Sequence, residues 1–140
     1  MNNIQIFPNY TKNADSPVLV SDKNIDIVIS APEKIVLSNT SEFPLNGSFV
    51  LPEDMLNSFD FHIMQAVIIV VRGPFPASRQ VGEDDLFFND DVTVDDGKVI
   101  GYFNLDLFEH FNLIRYPNTY WISASLFGEV SNVITVDVLK

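Results

Sequence analysis

The last stretch of the chain, residues 118–140, constrains the fold most strongly because its apolar and polar residues alternate with a period of two. One side of this extended backbone carries the apolar set Tyr120, Ile122, Ala124, Leu126, Ile134, Val136 and Val138. A short polar connection, 128–132, separates the two runs. Alternation on both sides of a tight connection is typical of an antiparallel hairpin with one face toward a core. It therefore predicts an all-β domain.

Further strand-like runs, separated by turn residues, extend along the rest of the chain. They cover residues 3–7, 17–20, 25–30, 34–38, 45–51 (split by Asn46-Gly47), 62–72, 92–94 and 99–107. Asp95-Asp96-Gly97-Lys98 predicts a hairpin turn, because Asp and Gly tolerate positive φ. Helical patterns are limited to a turn or two in 52–61 and 106–113. We expect one antiparallel β-sandwich of about seven to nine strands over residues 1–140, with residues 1–16 as an extended N-terminal arm.

Residues 113–122 resemble the approach to the penultimate strand of immunoglobulin-like sandwiches. In that fold a Tyr lies two residues before a core position, and its hydroxyl bonds back to the upstream backbone. Tyr120 and Ile122 match these two positions. The Trp of the third strand has no match, since Trp121 is the single tryptophan. The resemblance implies an immunoglobulin-like sandwich in which the strand at 62–71 neighbours the strand that contains Tyr120.

The charge balance narrows the classes of partner. The net charge is −11, from 19 acidic and 8 basic residues. This excludes general binding to nucleic-acid phosphates, which requires a basic surface. It favours basic proteins or divalent cations as partners. The absence of cysteine also excludes disulfides and thiol nucleophiles.

The segment 82–98 is the most acidic part of the chain. Five of its carboxylates are candidate ligands for Ca²⁺ or another hard cation: Glu83, Asp84, Asp85, Asp90 and Asp91. Carboxylate oxygens are the ligands that Ca²⁺ prefers. The standard calcium-loop pattern fails, however, because Asp96 and Tyr102 stand where it requires Gly and Glu. The alternative is a solvated loop that ends in a hairpin turn.

Neither a membrane span nor a catalytic motif is visible. The longest apolar run, 64–71, is well short of the roughly 18 residues that cross a bilayer, and the N-terminal residues lack a signal-peptide pattern. We expect a cytoplasmic protein, or one exported without a recognisable signal. His62 and His110 lack metal-site spacing, and no nucleophile elbow or phosphate loop occurs. The sequence thus predicts a protein without catalytic activity and, apart from the cation considered above, without a cofactor.

The strand at 62–71 is apolar on both faces, which is unusual for a sandwich strand with one solvated side. If it neighbours the strand containing Tyr120, the outward residues form one patch: Met64, Ile68, Val70, Trp121 and Phe127. We expect this patch to be covered by the chain's own segments, to be a subunit or partner interface, or to be a platform on which Trp121 stacks against a sugar. A second candidate surface is the loop after this strand, where Arg72 and Arg79 flank a constrained segment that presents Phe75 between two prolines. The alternative is an ordinary connection between strands.

These features together predict a non-catalytic binding or assembly module. The leading hypothesis is a homodimer that associates through the patch around Trp121. One alternative is a carbohydrate-binding module of the lectin type, assisted by Ca²⁺ in the acidic loop. Another is a small acidic protein that neutralises a basic partner, as immunity and inhibitor proteins do.

Overall fold

The computed structural model describes residues 8–19, 22–58, 63–82 and 93–140. Within these ranges the chain forms ten strands: β1 (Asp26–Ser30), β2 (Lys34–Val36), β3 (Pro44–Pro52), β4 (Val67–Arg72), β5 (Ala77–Gln80), β6 (Thr93–Asp95), β7 (Lys98–Asp106), β8 (Asn118–Leu126), β9 (Glu129–Val130) and β10 (Ile134–Leu139). Two short helices accompany them, α1 (Glu53–Ser58) and α2 (Leu107–Phe111), with a 3₁₀ turn at Ile63–Gln65. None of the helices in these ranges is long and apolar enough to cross a bilayer.

The strands form two sheets. Sheet A has the order β1-β3-β7-β6, and sheet B has the order β2-β10-β8-β4-β5, with β9 also paired to β8. All pairs are antiparallel except β2 with β10. One hydrophobic cluster takes side chains from both sheets. The predicted all-β sandwich is therefore confirmed, and without the two-residue β9 the described strands number nine.

The C-terminal hairpin follows the predicted alternation. Tyr120, Ile122, Ala124 and Leu126 of β8 are all buried. The tight turn is Phe127-Gly128, with φ values of 49° and 87°, so it comes earlier than the polar connection at 128–132. Positive φ at both central residues matches the twist of the two strands it joins. The returning chain pairs first as β9 and then as β10, with a break between them.

Strand β3 differs from the prediction at Asn46-Gly47. The sequence predicts an interruption there, but β3 runs through both residues and pairs with β7 along its whole length. Gly47 faces inward, and a Cβ built on it lies only 2.0 Å from Cζ of Phe103. The glycine therefore makes room for an aromatic ring of the neighbouring strand instead of forming a turn.

The other local predictions have mixed outcomes. The Asp96-Gly97 turn is confirmed, with φ values of 54° and 77°. The helical patterns at 52–61 and 106–113 correspond to α1 and α2. The strand predicted at 17–20 is wrong, because 17–19 is irregular, and its last residue lies outside the described part of the chain. The strand predicted at 3–7 lies wholly outside that part.

Helix α2 is joined to the core by the carboxylate that precedes it. Oδ1 of Asp106 accepts hydrogen bonds from the backbone N–H of Phe108, at 3.1 Å, and of Phe43, at 3.0 Å. The first bond caps the helix and the second satisfies a buried donor at the entry to β3. Helix α2 ends at Asn112, whose φ is 51°. The ring of Phe43 then packs edge-on against Phe108, with centroids 5.4 Å apart.

The two sheets differ in what lies against their outer faces. Residues 8–19, called the N-terminal strap below, lie across the outside of sheet A. Polar residues on that outer face, Asn46, Ser48 and Asn104, are consequently buried. Side-chain hydrogen bonds join the strap to these three residues. The outer face of sheet B, by contrast, retains exposed aromatic and aliphatic side chains.

Candidate functional site

The candidate site is the outer face of sheet B. Along β4, Val67, Ile69 and Val71 are buried in the core, whereas Ile68 and Arg72 are exposed and Val70 is half-buried. Along β8 the alternate residues Trp121, Ser123 and Ser125 face outward. Period-two alternation therefore separates a core face from an outer face, as expected for paired strands.

The register brings the outward residues of the two strands together. Strand β4 pairs with β8, so the predicted adjacency of these strands is confirmed. Trp121 lies directly opposite Arg72 of β4 on one side and Thr135 of β10 on the other. Trp121 is 45% exposed and Ile68 is 38% exposed. We call the outward set Ile68, Val70, Arg72, Trp121, Ser123, Ser125 and Thr135 the Trp121 face.

Met64 does not belong to this face, so its predicted outward position is wrong. The strand predicted from residue 62 begins only at Val67, and Met64 lies in the preceding 3₁₀ turn. The turn is closed by the backbone bond from Ala66 N–H to the Ile63 carbonyl, at 2.8 Å. This change of backbone ends the alternation, and the Met64 side chain is completely buried. His62, the first residue of the predicted strand, lies outside the described residues.

Phe127 also departs from the predicted patch. It follows the last residue of β8 and has the left-handed backbone of the Phe127-Gly128 turn. Its side chain therefore does not continue the outward row of the strand. It is half-buried and packs against the core cluster.

The face that remains is more polar than the sequence predicted. Around Trp121 lie the hydroxyls of Ser123 and Thr135 and the guanidinium-bearing Arg72. Farther across sheet B, Lys34 and Asp137 occupy paired positions, and the Asp137 carboxylate accepts a hydrogen bond from the neighbouring Thr119 hydroxyl at 2.8 Å. Among described strand residues on this side, two basic residues thus stand against one acidic residue. The face is not acidic, although the chain as a whole carries −11.

Arg72, Phe75 and Arg79 do not form one surface, contrary to the sequence hypothesis. Arg72 belongs to the Trp121 face, and Phe75 is 53% exposed in the turn between β4 and β5. Arg79 pairs with the inward-facing residue Ile69, so it leaves β5 on the other side of the sheet. Its Nη1 donates to the backbone carbonyl of His110 at 2.6 Å. The side chain of Arg79 therefore contacts helix α2, away from Trp121.

A cavity of about 190 Å³ lies beside α2 and is lined in part by Arg79, Asp106, Glu109 and His110. Several of its polar groups already make structural contacts. Asp106 holds two backbone amides, and the ring Nε2 of His110 lies 2.9 Å from the carbonyl oxygen of Gln80. These bonds attach α2 to the edge of β5. We assign the cavity a structural role.

The predicted cation ligands are a separate group of candidates. Glu83, Asp84, Asp85, Asp90 and Asp91 lie outside the described residues. Within the described ranges, no group of three or more His, Asp or Glu side chains is arranged to hold a metal ion. The calcium hypothesis therefore stays a prediction about the acidic loop.

The sequence did not reveal that the N-terminal strap would cover sheet A instead of the patch around Trp121. The sequence signal for this contact was the set of asparagines in the strap and in β3 and β7, the two central strands of sheet A. No family model matches the chain, and no curated protein is significantly similar to it.

Proposed function

We propose that this protein is a non-catalytic binding module that forms a homodimer through the Trp121 face. The observation that carries the proposal is the 45% exposure of Trp121 at the centre of sheet B, between Arg72 and Thr135, on an outer face that none of the described segments covers. The chain covers the outer face of its other sheet with its own strap. A large aromatic side chain exposed in the middle of a sheet face is typical of an interface residue.

The composition of the face favours a protein partner. Trp and Arg are the residue types most enriched among those that dominate binding energy at interfaces. Here Arg72 and Trp121 are adjacent across two strands, and Ile68 and Val70 extend the apolar area along β4. In a two-fold dimer the same patch serves both subunits. Trp121 of one subunit would then pack against Ile68 and Val70 of the other.

The local charge favours a second copy as that partner. Two molecules that each carry −11 repel one another at long range, and this repulsion is weakest where the contact surfaces lack acidic residues. The Trp121 face meets this condition, because Arg72 is its one charged member. Arg72 of each subunit would also lie close to the Trp121 ring of its partner, where a cation–π contact stabilises the pair.

The strand arrangement supports an immunoglobulin-like sandwich as the framework of this module. Sheet A joins β1, β3, β7 and β6, whereas β10, β8, β4 and β5 lie together in sheet B. Immunoglobulin-like domains divide their strands between two sheets in this way. Tyr120 is fully buried, and its hydroxyl accepts a hydrogen bond from Nδ2 of Asn118 at 3.3 Å. The backbone hydrogen bond that the resemblance implies for this hydroxyl stays a prediction.

Carbohydrate binding is the second candidate, and the polarity of the face favours it. Without Met64 and Phe127, Trp121 is bordered by Ser123, Thr135 and Arg72, which offer hydrogen-bond groups beside an aromatic ring. An exposed ring flanked by polar groups suits the stacking of a sugar. Neutralisation of a basic protein depends instead on the overall charge of −11, and would involve acidic residues elsewhere on the surface.

The test is the solution mass, measured by size-exclusion chromatography with light scattering. We expect the wild-type protein to be a dimer and Trp121→Asp to be a folded monomer, because the substitution buries an unpaired charge in the dimer. Ile114→Asp is the matched control, since Ile114 is 56% exposed in the loop before β8, is not one of the residues of the Trp121 face, and undergoes the same change of charge. A monomeric wild type, or a Trp121→Asp variant that remains dimeric, would refute self-association through this face.

Binding experiments on the wild-type protein separate the alternatives. If the wild type is monomeric and Trp121 fluorescence changes on addition of oligosaccharides, the carbohydrate hypothesis is favoured. A complex with a basic protein that dissociates as salt is raised would favour neutralisation, because exposed charge pairs are screened. Circular dichroism of both variants establishes that the fold is retained.

A further inference from the structure

The N-terminal strap is bound to sheet A in the manner of a peptide ligand. Asn9 exchanges both backbone hydrogen bonds with Asn104 of β7, at 3.1 and 2.8 Å. The side-chain Nδ2 of Asn104 donates to Oδ1 of Asn9 at 2.6 Å and to the carbonyl of Thr11 at 2.7 Å. Asn104, which is fully buried, thus recognises both the backbone and a side chain of the strap. Strand addition of this kind is a common way in which proteins bind extended peptides.

Asn13 is the central contact of the strap. Its Nδ2 donates to Oδ1 of Asn104 at 3.0 Å and to Oδ1 of Asn46 at 3.3 Å. Its Oδ1 accepts from the backbone N–H of Asp15 at 2.8 Å, and its own N–H donates to Oγ of Ser16 at 2.9 Å. These last two bonds are local, so they preorganise the Asn13 amide for binding. A preorganised ligand loses less entropy when it binds.

The remaining contacts extend the strap across β3 and β1. Oγ of Ser48 donates to the carbonyl of Pro17 at 2.6 Å, and Oγ of Ser30 donates to the carbonyl of Asp15 at 2.9 Å. Many of the groups that hold the strap are therefore polar. Water can replace such bonds if the strap leaves. Uncovering the Asn and Ser groups of this face thus costs far less than opening the apolar core.

The packing of the strap is also loose. A cavity of about 190 Å³ lies along one part of it, lined by residues that include Pro17 and Tyr102. A second, of about 350 Å³, lies beside Asp15 and Asn46. Val18, within the strap, is 76% exposed. The strap is therefore held mainly by specific hydrogen bonds and only partly by close packing.

We propose that the outer face of sheet A is a peptide-binding surface specific for residues 8–19, and that a second copy of the chain supplies this segment in a swapped dimer. Residues 20–25 connect the strap to β1 and span at most about 20 Å when extended. The same contacts form whichever copy supplies the strap, so exchange requires no new complementary surface. This interface lies on the opposite sheet from the Trp121 face. It forms only when concentrated chains refold together, since the bound strap must first detach, so Trp121→Asp folded from dilute solution stays monomeric.

The absence of cysteine allows a direct test by disulfide trapping. Pro17→Cys and Ser48→Cys are made in separate full-length chains that also carry Trp121→Asp, which removes association through the other sheet. The two proteins are mixed, unfolded, refolded together and oxidised. We expect a disulfide-linked heterodimer on non-reducing electrophoresis, because position 17 of one copy lies beside position 48 of the other. Either variant refolded alone gives no such product, since its cysteines are not adjacent in the swapped dimer.

Three controls make the result decisive. A single chain with both cysteines must form the internal disulfide, which shows that the geometry and the fold survive the substitutions. Pro17→Cys mixed with Ile114→Cys must give no heterodimer, which excludes random collision. Asn13→Ala in the strap-donating chain should change the ratio of heterodimer to monomer by less than about twofold, because the closed monomer loses the same hydrogen bonds as the swapped dimer.

Two results would overturn the proposal. If the internal disulfide forms but the mixed proteins stay monomeric, the strap binds only its own chain. If the internal disulfide also fails in a folded protein, the strap does not occupy this face. A heterodimer yield that falls tenfold or more with Asn13→Ala would contradict an exchange of identical contacts with Asn46 and Asn104.

Discussion

Replacing Gly47 by alanine tests the close approach of the Phe103 ring to the backbone of β3. A Cβ at this position lies 2.0, 2.2 and 2.6 Å from three ring atoms of Phe103, whereas carbon atoms pack at about 3.5–4.0 Å. The ring must therefore move by more than an ångström. Phe49 restrains that movement, because its ring stacks on Phe103 with centroids 6.4 Å apart. Overpacking of a core commonly costs about 1–3 kcal/mol, and we expect Gly47→Ala to lie at or above the upper end.

A double-mutant cycle isolates the cause. Phe103→Leu alone leaves a cavity and should cost on the order of 1–2 kcal/mol. In the double variant the smaller side chain leaves room for the new methyl group at position 47. The combined loss should therefore be smaller than the sum of the single losses by at least about 1 kcal/mol.

The assay is urea unfolding of the four proteins, followed by tryptophan fluorescence and circular dichroism. Equal slopes of the unfolding free energy against urea would show that the same surface is exposed in each. The steric explanation would be refuted if Gly47→Ala cost less than about 0.5 kcal/mol, a range typical of harmless surface changes. Strict additivity of the two substitutions would also refute it.

Two further predictions concern the ends of strands and helices. Asp106→Ala should lower the free energy of unfolding by about 2–4 kcal/mol in the same urea assay, because it removes the cap of α2 and leaves the buried N–H of Phe43 without its acceptor. Asp106→Asn keeps an oxygen acceptor, so this variant should lose clearly less free energy of unfolding. Gly97→Ala and Gly128→Ala should each cost about 1 kcal/mol in thermal or urea unfolding, because φ is positive at both and no atom lies within 4 Å of the added Cβ. A steric cost of several kcal/mol at either glycine would contradict that explanation.

The sequence predicted those parts of the fold that are determined by residues close together in the chain. The C-terminal hairpin was visible because alternation over residues 118–140 defines a core face without reference to any distant partner. Asp96-Gly97 and Asn46-Gly47 carry similar turn signals, yet only the first forms a turn. The role of Gly47 depends on the ring of Phe103 in another strand, which no local pattern contains.

The candidate site was predicted in part for the same reason. Pairing of β4 with β8 placed Ile68, Val70 and Trp121 together, as the alternation and the resemblance implied. Met64 and Phe127 were misplaced because period two was extended beyond the ends of the strands. A 3₁₀ turn before β4 and a left-handed turn after β8 rotate these two side chains away from the row.

The contact between the N-terminal strap and β7 also sets an order of events during synthesis. Asn9 and Asn104 are 95 positions apart, so the beginning of the chain emerges long before its binding surface exists. At a translation rate of about 5–20 residues per second, this delay is roughly 5–20 s. On a polysome, neighbouring ribosomes carry copies at later stages of synthesis, some with β3 and β7 already formed. A strap waiting for its own β7 would thus meet finished sheets on adjacent nascent chains.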